Sequence, residues 1–197
     1  MHPALYSTVI DWIPTGARVL DLGTGDGSFL DTLIKKKNVH GEGVEIDPEM
    51  MARCVELGLV MHQGDVMDGL DQYDDNSFDY ILLLGTFEEL AHPKSVLDEA
   101  FRVGARVIIA YRNICYWQNR VKFLSDGRTP VTAAMPLKWY DSPTVHFFSI
   151  NDFRDFYQML KLKELKSSYL TGGGRVKFCP NLRAEYGLSL LTPAVAI

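Results

Sequence analysis

Acidic residues follow three successive apolar runs in this chain of 197 residues: "VLDLGTGDG" (19–27), "GVEI" (43–46) and "VMHQGD" (60–65). The first opens onto glycines at every second position, Gly23, Gly25 and Gly27. Glycines in such a loop take positive φ and let backbone N–H groups come close to a ligand. Dinucleotides and other adenosine cofactors both use loops of this kind. The spacing here is G-x-G-x-G, whereas the dinucleotide fingerprint is G-x-G-x-x-G. Asp21 also places a carboxylate at the mouth of the loop, where it would repel a pyrophosphate and attract an ammonium group.

Those two features disfavour a nicotinamide dehydrogenase. They favour an adenosine cofactor with an ammonium and no phosphate, which describes S-adenosylmethionine. Glu45 follows Gly23 at close to the ~20-residue interval at which an acid meets ribose hydroxyls. Its carboxylate can accept from both hydroxyls of a diol through charge-assisted bonds. Asp47 competes for that role, but its place before Pro48 suits a helix N-cap. Asp65 follows the third apolar run, where it could accept from the adenine amino group while Val66 packs on the ring. A turn aspartate is the plainer alternative for Asp65.

Methyl transfer from such a cofactor is an in-line displacement, so alignment comes first and a base is needed only if the acceptor must lose a proton. The residues near the crevice that could serve are Glu88, Glu89, Tyr111, Tyr116 and His146, and none falls in a diagnostic constellation. "AYRNICYW" (110–117) lacks the Asn-Pro-Pro-Tyr pattern of amino-group methylases. For His146 a hydrogen-bonded structural role is favoured, and for Glu88 and Glu89 a solvated helix start. "TGGG" (171–174) reads as a hairpin turn, since the Lys-Ser/Thr of a P-loop is missing.

The elements that must position these residues alternate along the chain. Strands are expected at 17–22, 41–46, 59–63, 78–84 and 105–111, their apolar residues mostly continuous as in a sheet covered on both faces. Helices are expected at 28–37, at 47–57, from Pro93, and from a cap at Ser149 that turns Ile150, Phe153, Tyr157 and Leu160 to one side. "KELKSSYL" and "RVKFC" around "TGGG" read as a closing hairpin. The pattern predicts one α/β domain over 1–197, a mostly parallel, seven-stranded, Rossmann-like sandwich with a C-terminal hairpin. Residues 111–148 exceed an ordinary strand–helix connection. With Tyr116, Trp117, Trp139, Tyr140 and several basic residues, they suit either a lid or a partner surface.

Composition narrows the classes. A formal charge of −5 and a pI near 5.5 argue against a broad nucleic-acid or anionic-membrane footprint. Cys54, Cys115 and Cys179 lie far apart, without a CxxC pair or a histidine at ligand spacing, so they read as reduced thiols and no metal is expected. The N-terminal stretch lacks a signal peptide's basic region, and no apolar run reaches the ~20 residues of a membrane span. A cytoplasmic domain is expected.

"VLDLGTGDG", "GVEIDPE", "QGDV" and "FDYILLLGTFEEL" together resemble the ordered motifs of class I S-adenosylmethionine-dependent methyltransferases. The resemblance implies that fold, and S-adenosylmethionine or S-adenosylhomocysteine held by Asp21, Gly23, Thr24, Gly25, Gly27, Glu45, Ile46, Asp65, Val66 and Leu84. "ARCVELGLVMHQGDVMDGL", "RTPVTAAMPLKWYDSPTVHFFSINDF" and "GRVKFCPNLRAEYG" are similar to the methionine biosynthesis protein MetW family, which extends the likeness to almost the whole chain. That resemblance implies a role in methionine biosynthesis beside homoserine O-acetyltransferase. An active methyltransferase on a small-molecule acceptor is the alternative. The two glutamates of "TFEEL" (86–90) depart from the more neutral residues expected there.

Overall fold

A computed structural model describes residues 3–194. Helix α1 (Pro3–Trp12) leads into β1 (Arg18–Leu22), α2 (Ser28–Lys37), β2 (His40–Glu45), α3 (Pro48–Glu56), β3 (Val60–Gln63) and α4 (Val66–Leu70). The chain continues through β4 (Tyr80–Leu84), a 3-10 turn (Phe87–Glu89), α5 (Pro93–Val103), β5 (Val107–Arg112) and α6 (Trp117–Asp126). It closes with α7 (Ile150–Met159), β6 (Leu162–Thr171), β7 (Gly174–Arg175), α8 (Pro180–Arg183) and β8 (Tyr186–Pro193). The strands form one sheet in the order β3-β2-β1-β4-β5-β8-β6-β7. Strands β1 to β5 run parallel, and β8 runs antiparallel to both β5 and β6. This is the expected α/β sandwich.

Strand residues alternate between two apolar layers, as a two-residue period requires. Leu20, Leu22, Ile81, Leu83, Val107 and Ile109 meet α4, α5 and α7 on one face. Val19, Tyr80, Leu82, Ile108 and Ala110 meet α1 and α2 on the other. Helix starts are fixed locally. Asp47 caps α3 through Glu49 N at 2.8 Å, and Ser149 with Asp152 forms a capping box on α7.

Among the described residues the sheet has eight strands where seven were expected. The hairpin at "TGGG" exists, but its second strand is only two residues long. The main partner of β6 is β8, "YGLSLLTP", which slots between β5 and β6 and buries Leu188, Leu190 and Leu191. Phe178, placed by the sequence in that second strand, is exposed instead. Among the described residues no helix is long and apolar enough to cross a membrane.

Candidate functional site

In an open α/β sheet a ligand crevice forms at the carboxyl ends of the strands, beside the point where strand order reverses. Here the reversal lies between β1 and β4. Asp21, one residue before the end of β1, shares the face of Val19 and is only 3% exposed. Burial, then the charge of Glu45, pushes its carboxyl up to about 7. Burial, then the charges of Asp21 and Asp26, pushes up the phenol of Tyr6 on α1, whose ring stacks on Phe29 of α2 at 4.5 Å.

The loop after β1 is fastened to β2. Gly23 N and Thr24 N donate to Val44 O at 2.9 and 3.1 Å, and Thr24 Oγ1 donates to Asp21 O at 2.9 Å. Gly25 has φ near +63°, and a β-carbon built on it would meet nothing within 4 Å. Its Cα therefore has an open face, while its N–H is held by Glu45 Oε2 and its carbonyl accepts from Cys54 Sγ. Gly27 differs: a β-carbon there would run into Cys54 Sγ and Leu59 Cδ1. It closes the packing behind the loop.

Glu45 accepts Gly25 N on Oε2 at 2.7 Å, and Ile46 N and Asp47 N on Oε1 at 2.9 Å each. Three backbone donors leave roughly one of a carboxylate's about four acceptor positions for a ligand. Asp65 takes the cap of α4 through Met67 N at 2.9 Å on Oδ1. It is thus a turn aspartate as well as a residue of the crevice.

A cavity of about 740 Å³ lies over these strand ends. It is lined by Asp21, Gly23, Thr24, Gly25, Glu45, Ile46, Asp65, Val66 and Leu84; Gly27 does not reach it. Its size falls within the ~300–1,000 Å³ of small-molecule sites. The lining suits an adenosine cofactor bearing an ammonium: a buried acid held above its ordinary range, a glycine with an open Cα face, and acids at the end of β2 and just after β3.

The cavity continues across β4, β5 and β8 to Glu88, Glu89, Tyr111, Arg112 and Tyr186. Glu88 corrects the expectation of a solvated helix start. It is 2% exposed, and its Oε1 accepts Arg112 N at 2.7 Å and Arg112 Nε at 3.1 Å. Burial raises its carboxyl while the Arg112 guanidinium lowers it, and burial prevails. Glu89 is exposed, at the lip. Tyr116 is buried away from the cavity. His146 borders a separate void of about 10 Å³, and its Nε2 is buried without a hydrogen-bond partner. A hydrogen-bonded structural role was expected for this histidine, and Nε2 does not supply it.

Residues 111–148 divide into two surfaces. Ala133, Ala134, Pro136 and Pro143 roof the cavity. Trp117 and Trp139, 46% and 71% exposed, do not line it. Sequence reasoning missed Leu5 and Tyr6 on α1, the small residues of the roof, and Tyr186. An amphipathic reading of "ALYSTVIDW" could have found α1, while alanines and prolines in a long loop carry no such signal.

A family model described as "Methionine biosynthesis protein MetW" matches residues 4–191. The bifunctional methionine biosynthesis protein MetXA/MetW of Rhodopirellula baltica is 29% identical over 179 residues, covering 82% of this chain. The chain spans only 29% of that relative's length. A SAM-dependent methyltransferase structure from Archaeoglobus fulgidus superposes with a TM-score of 0.70 at 15% identity, over 95% of this chain and 92% of that one. A second from Thermotoga maritima, whose description adds "possible histamine N-methyltransferase", gives 0.69 at 19%, over 96% and 87%. At these identities the superpositions establish the fold.

Proposed function

Because the chain belongs to the methionine biosynthesis protein MetW family, we propose that it is a cytoplasmic S-adenosylmethionine-binding protein of methionine biosynthesis that acts with homoserine O-acetyltransferase. One observation carries the cofactor half of this reading: carboxylates at the ends of β1, β2 and β3 share one cavity with the open Cα face of Gly25. In it Asp21 meets the ammonium, Glu45 a ribose hydroxyl, and Asp65 the adenine amino group beside Val66. The cofactor, when bound, supplies an electrophilic methyl on sulfur; the chain's residues orient it and screen it from water.

The partner half rests on the relative in which MetXA and MetW are one polypeptide. A docking face is available on the insertion. Trp117, Val121 and Leu124, at helical spacings of four and three along α6, are 46%, 53% and 91% exposed. Such an apolar stripe is the usual anchor pattern of a helix seated in a groove.

Calorimetric titration with S-adenosylhomocysteine and with NADH, on the wild type and Glu45→Gln, tests the cofactor assignment. Glutamine keeps one oxygen for the amides of Ile46 and Asp47 but presents NH₂ toward Gly25. The expected loss is about 10- to 150-fold, the worth of a hydrogen bond to a charged group. Tight NADH binding, or equal S-adenosylhomocysteine affinities, would overturn it.

A further inference from the structure

Asp21 is a buried acid without a counter-charge. It is 3% exposed and lines the cavity. Among the described residues only burial and the like charge of Glu45 act on its carboxyl, and no donor or cation does. A buried carboxylate in that state calls for a partner from outside the chain. The rest of the lining has the same sign. Asp26, Glu45, Asp65 and Glu89 also border the cavity. Arg112, the one guanidinium among the described lining residues, lies with its Nε 3.1 Å from Glu88 Oε1, and that pair cancels.

The glycine loop does little to offset these charges. Loops before a helix commonly gather N–H groups round an anion. Here Gly23 N and Thr24 N donate to Val44 O, Gly25 N to Glu45 Oε2 and Gly27 N to Thr24 O. Those groups are spent inside the protein. The roof of Ala133, Ala134, Pro136 and Pro143 carries no charge of its own. By excluding water it lowers the local dielectric and strengthens the field of the acids beneath it.

We propose that the cavity selects its cofactor by charge, holding the sulfonium S-adenosylmethionine in preference to the neutral thioether S-adenosylhomocysteine. The proposal deepens the cofactor reading and rests on it. Both ligands carry an ammonium and a carboxylate, which cancel. They differ only at sulfur, by one methyl group and one positive charge. Asp21 takes the ammonium of either ligand, so it does not choose between them by contact. The choice falls to the summed field of the lining acids. Coulomb attraction falls with only the first power of distance, so none of them need touch the sulfur. Occupancy then follows the methylated cofactor and resists displacement by its demethylated product.

Calorimetric titration with S-adenosylmethionine, S-adenosylhomocysteine and sinefungin tests this. Sinefungin carries an ammonium on carbon where the cofactor carries the methylated sulfur, so it separates charge from the methyl group. At neutral pH and low salt, the two cationic ligands are each expected to bind about tenfold more tightly than the thioether. The double variant Asp26→Asn, Glu89→Gln removes two charges from the lining and should shrink both preferences about threefold. Both side chains are exposed, so the variant keeps its fold. Three results would overturn the proposal: a thioether bound as tightly as the sulfonium, sinefungin bound no better than the thioether, or preferences unchanged in the double variant. Equal, measurable affinities sink charge selection alone and leave the cofactor reading standing. Binding of none of the three to the wild type sinks the cofactor reading, and the proposal with it.

Discussion

Asp21→Asn should make the protein more stable and a poorer binder. The carboxyl rises from its ordinary 3.8 to about 7, chiefly through burial. At about 1.36 kcal/mol per unit, the charged form costs the folded state about 4 kcal/mol above that pH. Between 3.8 and about 7 the folded chain holds a proton on Asp21 that the unfolded chain has released. Stability therefore falls with rising pH across this window: the penalty is absent below it and complete above it. Asparagine has the same shape and no charge, so it removes the penalty, while its new N–H group gives back about 1–3 kcal/mol if left unpaired. A net gain of about 1–3 kcal/mol is expected at about pH 8, or about 2–4 °C per kcal/mol in a domain of this size.

Urea unfolding of both proteins from about pH 4 to about pH 8 measures the effect, and the gain should vanish toward the acid end. Binding should move the opposite way. An ammonium prefers the carboxylate, so wild-type affinity for S-adenosylhomocysteine should climb as pH rises through about 7, and the variant should bind about tenfold or more weakly without that climb. If the variant is no more stable at the alkaline end, or the two pH profiles run parallel, burial is not what holds this acid up.

Two glycines two residues apart should fail differently. In Gly23→Ala the new methyl collides with Thr86 Oγ1, which donates to Leu22 O at 3.0 Å, so stability should fall by about 2 kcal/mol or more. In Gly25→Ala the methyl enters open space, so unfolding should cost only about 1 kcal/mol less while S-adenosylhomocysteine binding is lost. On α6, Trp117→Ala with Leu124→Ala should weaken homoserine O-acetyltransferase binding by about 2 kcal/mol or more in calorimetry. The same pair should leave S-adenosylhomocysteine affinity alone, because neither residue lines the cavity.

The half of the site nearest β1–β3 was legible because chain order and chemistry coincide there. Each strand carries an acid within two residues of its end, and the turn after a parallel strand must lie at the carboxyl edge whatever else the chain does. The other half depends on where distant segments land. Glu88 and Glu89 are adjacent in sequence, yet one is buried on Arg112 and the other faces solvent. Only the end of β5, brought beside β4 by the sheet, decides between them. Strand β8 was overlooked for a related reason. It enters the sheet out of sequence order between β5 and β6, so no local turn announces it. The roof escaped because Ala133, Ala134, Pro136 and Pro143 carry no chemistry of their own. Their part is to exclude water.

The insertion that forms this roof also carries the exposed apolar surface, and that ties the two halves of the proposed function together. Thr144 is bonded to Arg112, and Val145 N and His146 N both donate to Glu88 O at 2.9 Å. Between those anchors and the cavity-facing Ala133, Ala134 and Pro136, the same segment exposes Leu137, Trp139 and Tyr140. A ligand pressing on one side and a protein on the other would bias one element, which is the physical requirement for coupling. Saturating S-adenosylmethionine should therefore change the affinity for homoserine O-acetyltransferase by about 5- to 150-fold, the usual coupling of about 1–3 kcal/mol. Linkage demands the converse: the acyltransferase must shift cofactor affinity by the same factor. Trp139→Ala should shrink both shifts together, since Trp139 lies on the segment and outside the cavity. Calorimetry in both orders closes the cycle. A partner affinity indifferent to the cofactor would mean that the roof and the docking face, though continuous in sequence, are energetically separate.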